Sequence, residues 1–234
     1  MPFLEVCLTP ELIKLHEVEG KTIVVTDIFR AASSMVAGLA TGLSKIKPVS
    51  KVSDSEEWHK KGFLRAGERN GVKISGFELG NSPFDFMDAR PVTEVVMTTT
   101  NGTKAIAVAA AASQVIIGAF LNLETVANYL KENVNRDVLV ICAGWKGRFS
   151  MEDTLFAGAL CQLLGERFNI ENDEAYAALA LYEKAKDDLY GFLKNAGHAK
   201  RLRGLDFEKD IRFCLECNRF DNLTVIDKGF IVNA

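Results

Sequence analysis

Three times along this chain a run of β-branched residues opens into a polar, turn-forming loop, and each loop starts a helix of small residues. Residues 21–26 (KTIVVT) lead into Asp27-Ile28-Phe29-Arg30 and a helix over 31–42 that stops at a glycine. Residues 94–99 run into Thr100-Asn101-Gly102-Thr103-Lys104 and an alanine-rich helix, and residues 137–142 into a loop over 143–150 and a helix through 151–164. Apolar runs of this length without alternation read as strands buried on both faces. Strands alternating with helices call for an α/β fold around a mixed sheet. The unit recurs without a fixed period, so the chain is not a repeat array. In such sheets ligands collect beyond the carboxyl ends of the strands. Helix N-termini also point there, with unpaired N–H groups and a partial positive charge, so the pattern favours an anion site.

Between these units, 45–52 reads as a short strand, 54–61 as a short helix and the glycine-dense 67–83 as loop. A strand over 115–118, a capped helix over 124–133 and a longer helix over 173–195 follow, and 205–234 holds short apolar pieces of unassigned type. The 234 residues suit one large domain or two small ones, and a single domain over 1–234 is the reading adopted. A net charge of -3 argues against a general nucleic-acid binder, which needs a basic excess to displace counterions. The N-terminal segment is too short and polar for a signal peptide. The most apolar stretch, 105–121, is broken by Ser113, Gln114 and Gly118, so no membrane span is expected. Five irregularly spaced cysteines indicate reduced thiols and a cytoplasmic location. Cys214 and Cys217 form a lone CxxC with no second pair and only three scattered histidines, so a structural role is expected.

Several clusters could carry chemistry, each with a plainer alternative. Asp27 at a strand end could hold a metal or attack phosphorus while Arg30 clamps an oxyanion; equally, Asp27 could cap the next helix and pair with Arg30. Glu68-Arg69 and Asn81-Ser82 lie in glycine-flanked segments that turn chemistry would also explain. Thr100 to Lys104 resembles a phosphate cradle without the spacing of a Walker loop. Ser150-Met151-Glu152-Asp153 is a capping signature. Neighbouring helical residues diverge by about 100°, so one of Glu152 and Asp153 is expected as a metal ligand and the other as cap or support. Cys142 to Arg148 has the C-x5-R spacing of cysteine-dependent phosphatases, though Phe149 stands where Ser or Thr is usual. GxSxG, HExxH and EF-hand signatures are absent, and Phe29 breaks a DxD start.

Taken in order, the segments around Asp27-Ile28-Phe29-Arg30, Gly67-Glu68-Arg69, 76–83, 98–104 and 142–154 look like those of the 2-phosphosulfolactate phosphatase family. The similarity runs from about residue 3 to the segment 210–215. It implies a ComB-like α/β fold, a mixed β-sheet flanked by helices and not a standard Rossmann domain. It further implies a magnesium-dependent hydrolase acting on (R)-2-phospho-3-sulfolactate, a small anionic phosphorylated substrate, to give sulfolactate for coenzyme M synthesis. Carried onto this sequence, Mg²⁺ would be held by Asp27, Glu68 and one of Glu152 or Asp153. Arg30, Lys104 and the N–H groups of Asn101, Gly102 and Thr103 would hold oxyanions, with Asn81 and Ser82 orienting substrate. Arg69 and Arg148 are candidates for the sulfonate, and Thr100, Cys142, Gly144 and Ser150 complete the lining. Two departures stand out: Ala31-Ala32-Ser33-Ser34 replaces a threonine-rich segment, and Lys104 stands where arginine is common, keeping the charge but losing the bidentate fork. Metal-bound water, Asp27 and Cys142 all remain open as nucleophile. The competing class is a non-catalytic binder of small anions, against which the three loop carboxylates speak, since an anion receptor gains nothing from added negative charge. No nucleic-acid or membrane partner is expected, and a homodimer is the neutral default.

Overall fold

Every residue of Thr22–Thr26 and of Val138–Cys142 is buried, as their unbroken apolar runs require, and the two strands pair in parallel within an 11-stranded sheet. The computed structural model describes residues 1–234. In chain order the strands are β1 Phe3–Cys7, β2 Thr22–Thr26, β3 Lys45–Pro48, β4 Leu64–Arg69, β5 Val72–Lys73, β6 Glu94–Thr98, β7 Gln114–Ile117, β8 Val138–Cys142, β9 Asn169–Ile170, β10 Thr224–Asp227 and β11 Phe230–Asn233. The helices are α1 Ala31–Ala40, α2 Val52–His59, α3 Pro83–Met87, α4 Gly102–Val108, α5 Leu123–Asn133, α6 Met151–Leu164, α7 Asp173–Ala185, α8 Leu189–Leu193, α9 Gly197–Arg203 and α10 Glu208–Cys214. The mixed sheet flanked by helices is the architecture expected from the sequence. None of the helices is long and apolar enough to cross a membrane.

Strand order is β5-β4-β6-β3-β11-β10-β7-β2-β8-β1-β9. One parallel block contains β7, β2, β8, β1 and β9, and a second contains β3, β6 and β4. The hairpin β10–β11 joins them with antiparallel pairings on both sides, so the two blocks run in opposite directions. In a flat sheet their carboxyl ends would lie at opposite edges. Yet a Cβ on Gly102, just past β6, would touch both Asp27 and Ala31, just past β2. Right-handed twist accounts for the meeting: roughly 20–25° accumulates at each strand-to-strand step, and several steps separate β2 from β6. A cluster of 60 buried residues, drawn from both blocks, fills the interior.

Three segments depart from the sequence reading. The stretch 67–83 is not all loop, because β4 and β5 form a hairpin across Asn70-Gly71, whose φ values of 57° and 86° are those of a tight primed turn. The expected helix over 173–195 is two helices, with Asp188 capping α8 by accepting from the Gly191 N–H. The unassigned residues 205–234 contain α10 and the hairpin at the join of the sheet. Cys214 ends α10 as a buried free thiol, and Cys217 lies exposed beyond it.

Candidate active site

Where β2 ends, Asp27 begins the turn into α1, and its Oδ1 accepts from the Ala31 N–H at 3.3 Å. The carboxylate therefore caps the turn through Oδ1, as one of its two sequence readings expects. Burial pushes its pKa up to about 6, with Glu68 and Glu152 adding to the rise while His198 and the Ala31 N–H oppose it. Gly102 packs directly beneath: a Cβ there would lie 2.9 Å from Asp27 Oδ2.

Glu68, at the end of β4, fastens two loops. It accepts from the Gly71 N–H at 2.6 Å and from the Thr100 N–H and hydroxyl at 3.2 and 3.0 Å. Asp153 does the same on the other side, accepting from the Ile28 N–H at 2.8 Å, the Gly144 N–H at 3.0 Å and the Ser150 hydroxyl at 2.5 Å. It thereby ties the loop after β2 to the loop after β8. Burial, then the charges of Glu152 and Asp27, raise the Asp153 pKa well above the usual range. The two adjacent carboxylates of α6 thus divide as their angular separation requires. Asp153 supports the loops, while Glu152 meets His198 Nδ1 at 2.5 Å through Oε1 and leaves Oε2 buried without a hydrogen-bond partner.

Asp27, Arg30, Glu68, Asn81, Thr100 and Asn101 line one cavity, which is the meeting that the sequence led us to expect. Arg30 is ion-paired there, but to Asp210 instead of Asp27. Its guanidinium also donates to the Gly71 carbonyl at 3.0 Å and lies 3.9 Å above the Phe207 ring. Asn81 accepts from the Ser34 hydroxyl through its backbone carbonyl, while its side-chain Oδ1 is buried and unpartnered.

Other candidates lie outside this cavity. Arg69 turns to the Glu68 carbonyl and the Thr98 hydroxyl, and Ser82 caps α3. Thr103 bonds back to Thr99, and Gly144 and Ser150 hold Asp153. Lys104 is half exposed and ion-paired to Glu11, because its place in the first turn of α4 directs it toward the N-terminal segment. Arg148 lines an adjoining cleft of about 310 Å³ with Ser150, Glu152 and His198. Cys142 is fully buried at the end of β8, and burial followed by the Asp153 charge holds its thiol well above its ordinary pKa. That favours the neutral thiol over an attacking thiolate.

Sequence reading missed the far wall, formed by Trp145, Lys146, His198 and Arg201. The available signal was the spacing of His198 and Arg201, which places both on one face of α9. The three histidines are scattered along the sequence, and only the fold brings His198 to Glu152.

As a metal site the arrangement is open. No group of three His, Cys, Asp or Glu side chains forms a ready cage. The donors on offer are hard oxygens, and two of them, Asn81 Oδ1 at the cavity and Glu152 Oε2 at the adjoining cleft, are buried without partners. Mg²⁺ commonly takes one or two carboxylates and completes its shell with water and substrate phosphate. This donor set fits such an ion.

The family model described as 2-phosphosulpholactate phosphatase matches residues 7–229. The chain is 36% identical over 235 residues to the "Probable 2-phosphosulfolactate phosphatase" of Caldanaerobacter subterraneus subsp. tengcongensis, covering 98% of this chain and 97% of that protein. It is 39% identical over 216 residues to the protein of the same description from Thermotoga maritima, covering 92% and 93%. To that from Trichormus variabilis it is 36% identical over 232 residues, covering 93% and 92%.

Proposed function

Because the chain belongs to the 2-phosphosulfolactate phosphatase family, we propose that it hydrolyses (R)-2-phospho-3-sulfolactate, or a closely related phosphorylated 2-hydroxy acid, to the free hydroxy acid and phosphate in a Mg²⁺-dependent reaction. The observation that carries this reading is the crowding of Asp27 and Glu68 in a cavity that also faces Arg30, Lys146 and Arg201, with the Glu152 charge close by in the adjoining cleft. Buried carboxylates repel a phosphorylated substrate unless a cation stands between them. A receptor for anions alone gains nothing from them.

Asp27 and Glu152, with Asn81 Oδ1 as a neutral donor, are the residues proposed to hold the ion. When bound, Mg²⁺ supplies Lewis-acid neutralisation of the phosphoryl oxygens. The protein's own contribution is positional. Asp153 and Glu68 fix four loops through hydrogen bonds to backbone N–H groups, so the polar groups at the cavity are set before substrate arrives. The Ala31 N–H holds Asp27 in one orientation, and Gly102 leaves it room.

The direct test is phosphate release from 2-phosphosulfolactate with Mg²⁺ and with excess chelator. Release that stops on chelation is the expected result. Absence of release across a panel of phosphorylated hydroxy acids would instead favour the anion-binding reading. Cys142→Ser serves as a second test, since a buried neutral thiol has no part in the proposed chemistry. Its kcat is expected within about threefold of wild type, and a loss of the 10²-fold order typical for a removed catalytic group, in a folded variant, would restore a cysteine mechanism.

A further inference from the structure

Each of three cationic side chains near the cavity already has a protein partner. Arg30 is held by Asp210 and the Gly71 carbonyl, Arg69 by the Glu68 carbonyl, and Lys104 by Glu11. Arg201 is different. It lines the cavity, yet it enters none of the molecule's eleven ion pairs, and its Nε is buried without a hydrogen-bond partner. Burial presses its pKa down, and the through-space charges of Glu68 and Glu152 oppose that shift. Buried donors in folded proteins are nearly always satisfied, so an unsatisfied guanidinium facing a cavity points to a ligand. Its Cζ lies 4.5 Å from the centre of the Trp145 ring, a cation–π contact that restrains a guanidinium without using its N–H donors.

The size of the cavity adds a second, independent observation. The space beside Asp27 amounts to about 20 Å³, enough for little more than one water molecule. Sites for small organic ligands are usually some hundreds of Å³. The wall that closes it is α9, which brings in His198, Arg201 and Leu202 and is bracketed by Gly197 and Gly204. A three-carbon phosphate is larger than this space, and α9 is the wall that the space shares with the adjoining cleft of about 310 Å³.

The geometry points to α9 as a closing element that carries Arg201 onto the phosphoryl oxygens of the bound substrate, with Trp145 as the positioning residue that holds the guanidinium flat. The inference rests on the phosphatase reading for the identity of the anion. In the closed state the N–H fork of Arg201 meets the charge that builds on the phosphoryl oxygens as the ester bond breaks, so its effect belongs to kcat more than to KM.

The test uses the full-length protein, steady-state phosphate release, and calorimetric titration with inorganic phosphate. Arg201→Ala is expected to lower kcat on the order of 10²-fold, to weaken inorganic phosphate at least about tenfold, and to be partly rescued by added guanidinium but not by urea. Arg201→Lys retains the charge without the fork and should fall between the two. Trp145→Phe should stay near wild type, and Trp145→Ala should approach Arg201→Ala in kcat. Hydrogen exchange in residues 197–203 should slow when phosphate is added. If Arg201→Ala folds poorly, Arg201→Gln keeps the side-chain length and is read in the same assays.

Wild-type kcat and phosphate affinity in folded Arg201→Ala would overturn the clamp while leaving the phosphatase reading intact. Exchange in α9 indifferent to phosphate would overturn the closure. A wild-type protein that hydrolyses no phosphomonoester, but loses phosphate affinity on the Arg201 substitution, would defeat the phosphatase reading and keep the clamp. If the wild type neither hydrolyses nor binds phosphate, both fail.

Discussion

Asp27 is more protonated in the folded chain than in the unfolded one. Its pKa rises from the ordinary 3.8 to about 6, first because it is buried and further because Glu68 and Glu152 stand near it. Between those two values the native state binds more protons than the unfolded state. The stability owed to this residue therefore falls as pH rises through that window, by up to about 3 kcal/mol at neutral pH. Asp27→Asn keeps the oxygen that accepts from Ala31 and removes the charge. With chelator present, it should be more stable than wild type near neutral pH, and the difference should vanish below about pH 4. The same substitution should lower phosphate release by at least about 10²-fold. Urea denaturation of both proteins at several pH values checks the first part, and a gap that does not change with pH would refute it. The sequence showed Asp27 at a strand end, where either cap or site was reasonable. It could not show the crowding, because Glu68 arrives from β4 and Glu152 from α6, both distant in the chain.

The elements around the site were legible where local chemistry decides and illegible where packing does. The three strand-loop-helix units follow directly from apolar runs ending in turn residues. Two Asn-Gly pairs show the limit. At 70–71 the pair makes a hairpin turn with both residues in the left-handed region, as that dipeptide favours. At 101–102 it starts α4 instead, and Gly102 is needed for close approach to Asp27 and Ala31, not for its φ. Gly102→Ala places a methyl 2.9 Å from both neighbours. Overpacking of that kind costs typically about 1–3 kcal/mol, and here it would displace the central carboxylate, so kcat should fall at least about tenfold along with the melting temperature. Gly158→Ala provides the contrast. Its Cβ would collide with the Ala178 carbonyl where α6 crosses α7, away from the cavity. We expect a destabilisation at least as large, about 1–3 kcal/mol or more, with kcat of the folded fraction unchanged. Equal kcat losses in the two variants would show that Gly102 acts only through stability.

At the scale of the whole molecule, the candidate active site is built across a join. Asp27 and Glu152 follow strands of one parallel block, while Glu68 lies near the end of β4 and Thr100 follows β6 in the other. Between the blocks lie only β10 and β11. These were the residues the sequence left unassigned, for a physical reason. Each strand has four residues, too few to display a period, and their partners β7 and β3 are far away in the chain. The hairpin is also fastened to α1, since the Asn222 side chain donates to the Val36 carbonyl at 3.2 Å and Asn233 to the Leu39 carbonyl at 3.0 Å. Chain ends usually fray and tolerate trimming, but this segment sits inside the sheet. Deleting residues 224–234 would leave β7 and β3 with unpaired edges in the middle of the sheet and expose Ile116 and Ile46, which are fully buried. The shortened chain should show no cooperative urea transition and release no phosphate, even with Mg²⁺ in excess. A milder version separates loss of the join from loss of the whole chain. Ile231→Ala empties a fully buried position on β11 opposite Ile46, which costs about 2–5 kcal/mol while preserving the backbone pairing. That variant should still unfold cooperatively at lower urea, and its folded fraction should keep the wild-type kcat. Should the deleted chain instead melt near the wild-type midpoint, the two blocks would have to hold each other without the hairpin. The convergence of Asp27 and Glu68 would then need another explanation than the continuous twisted sheet.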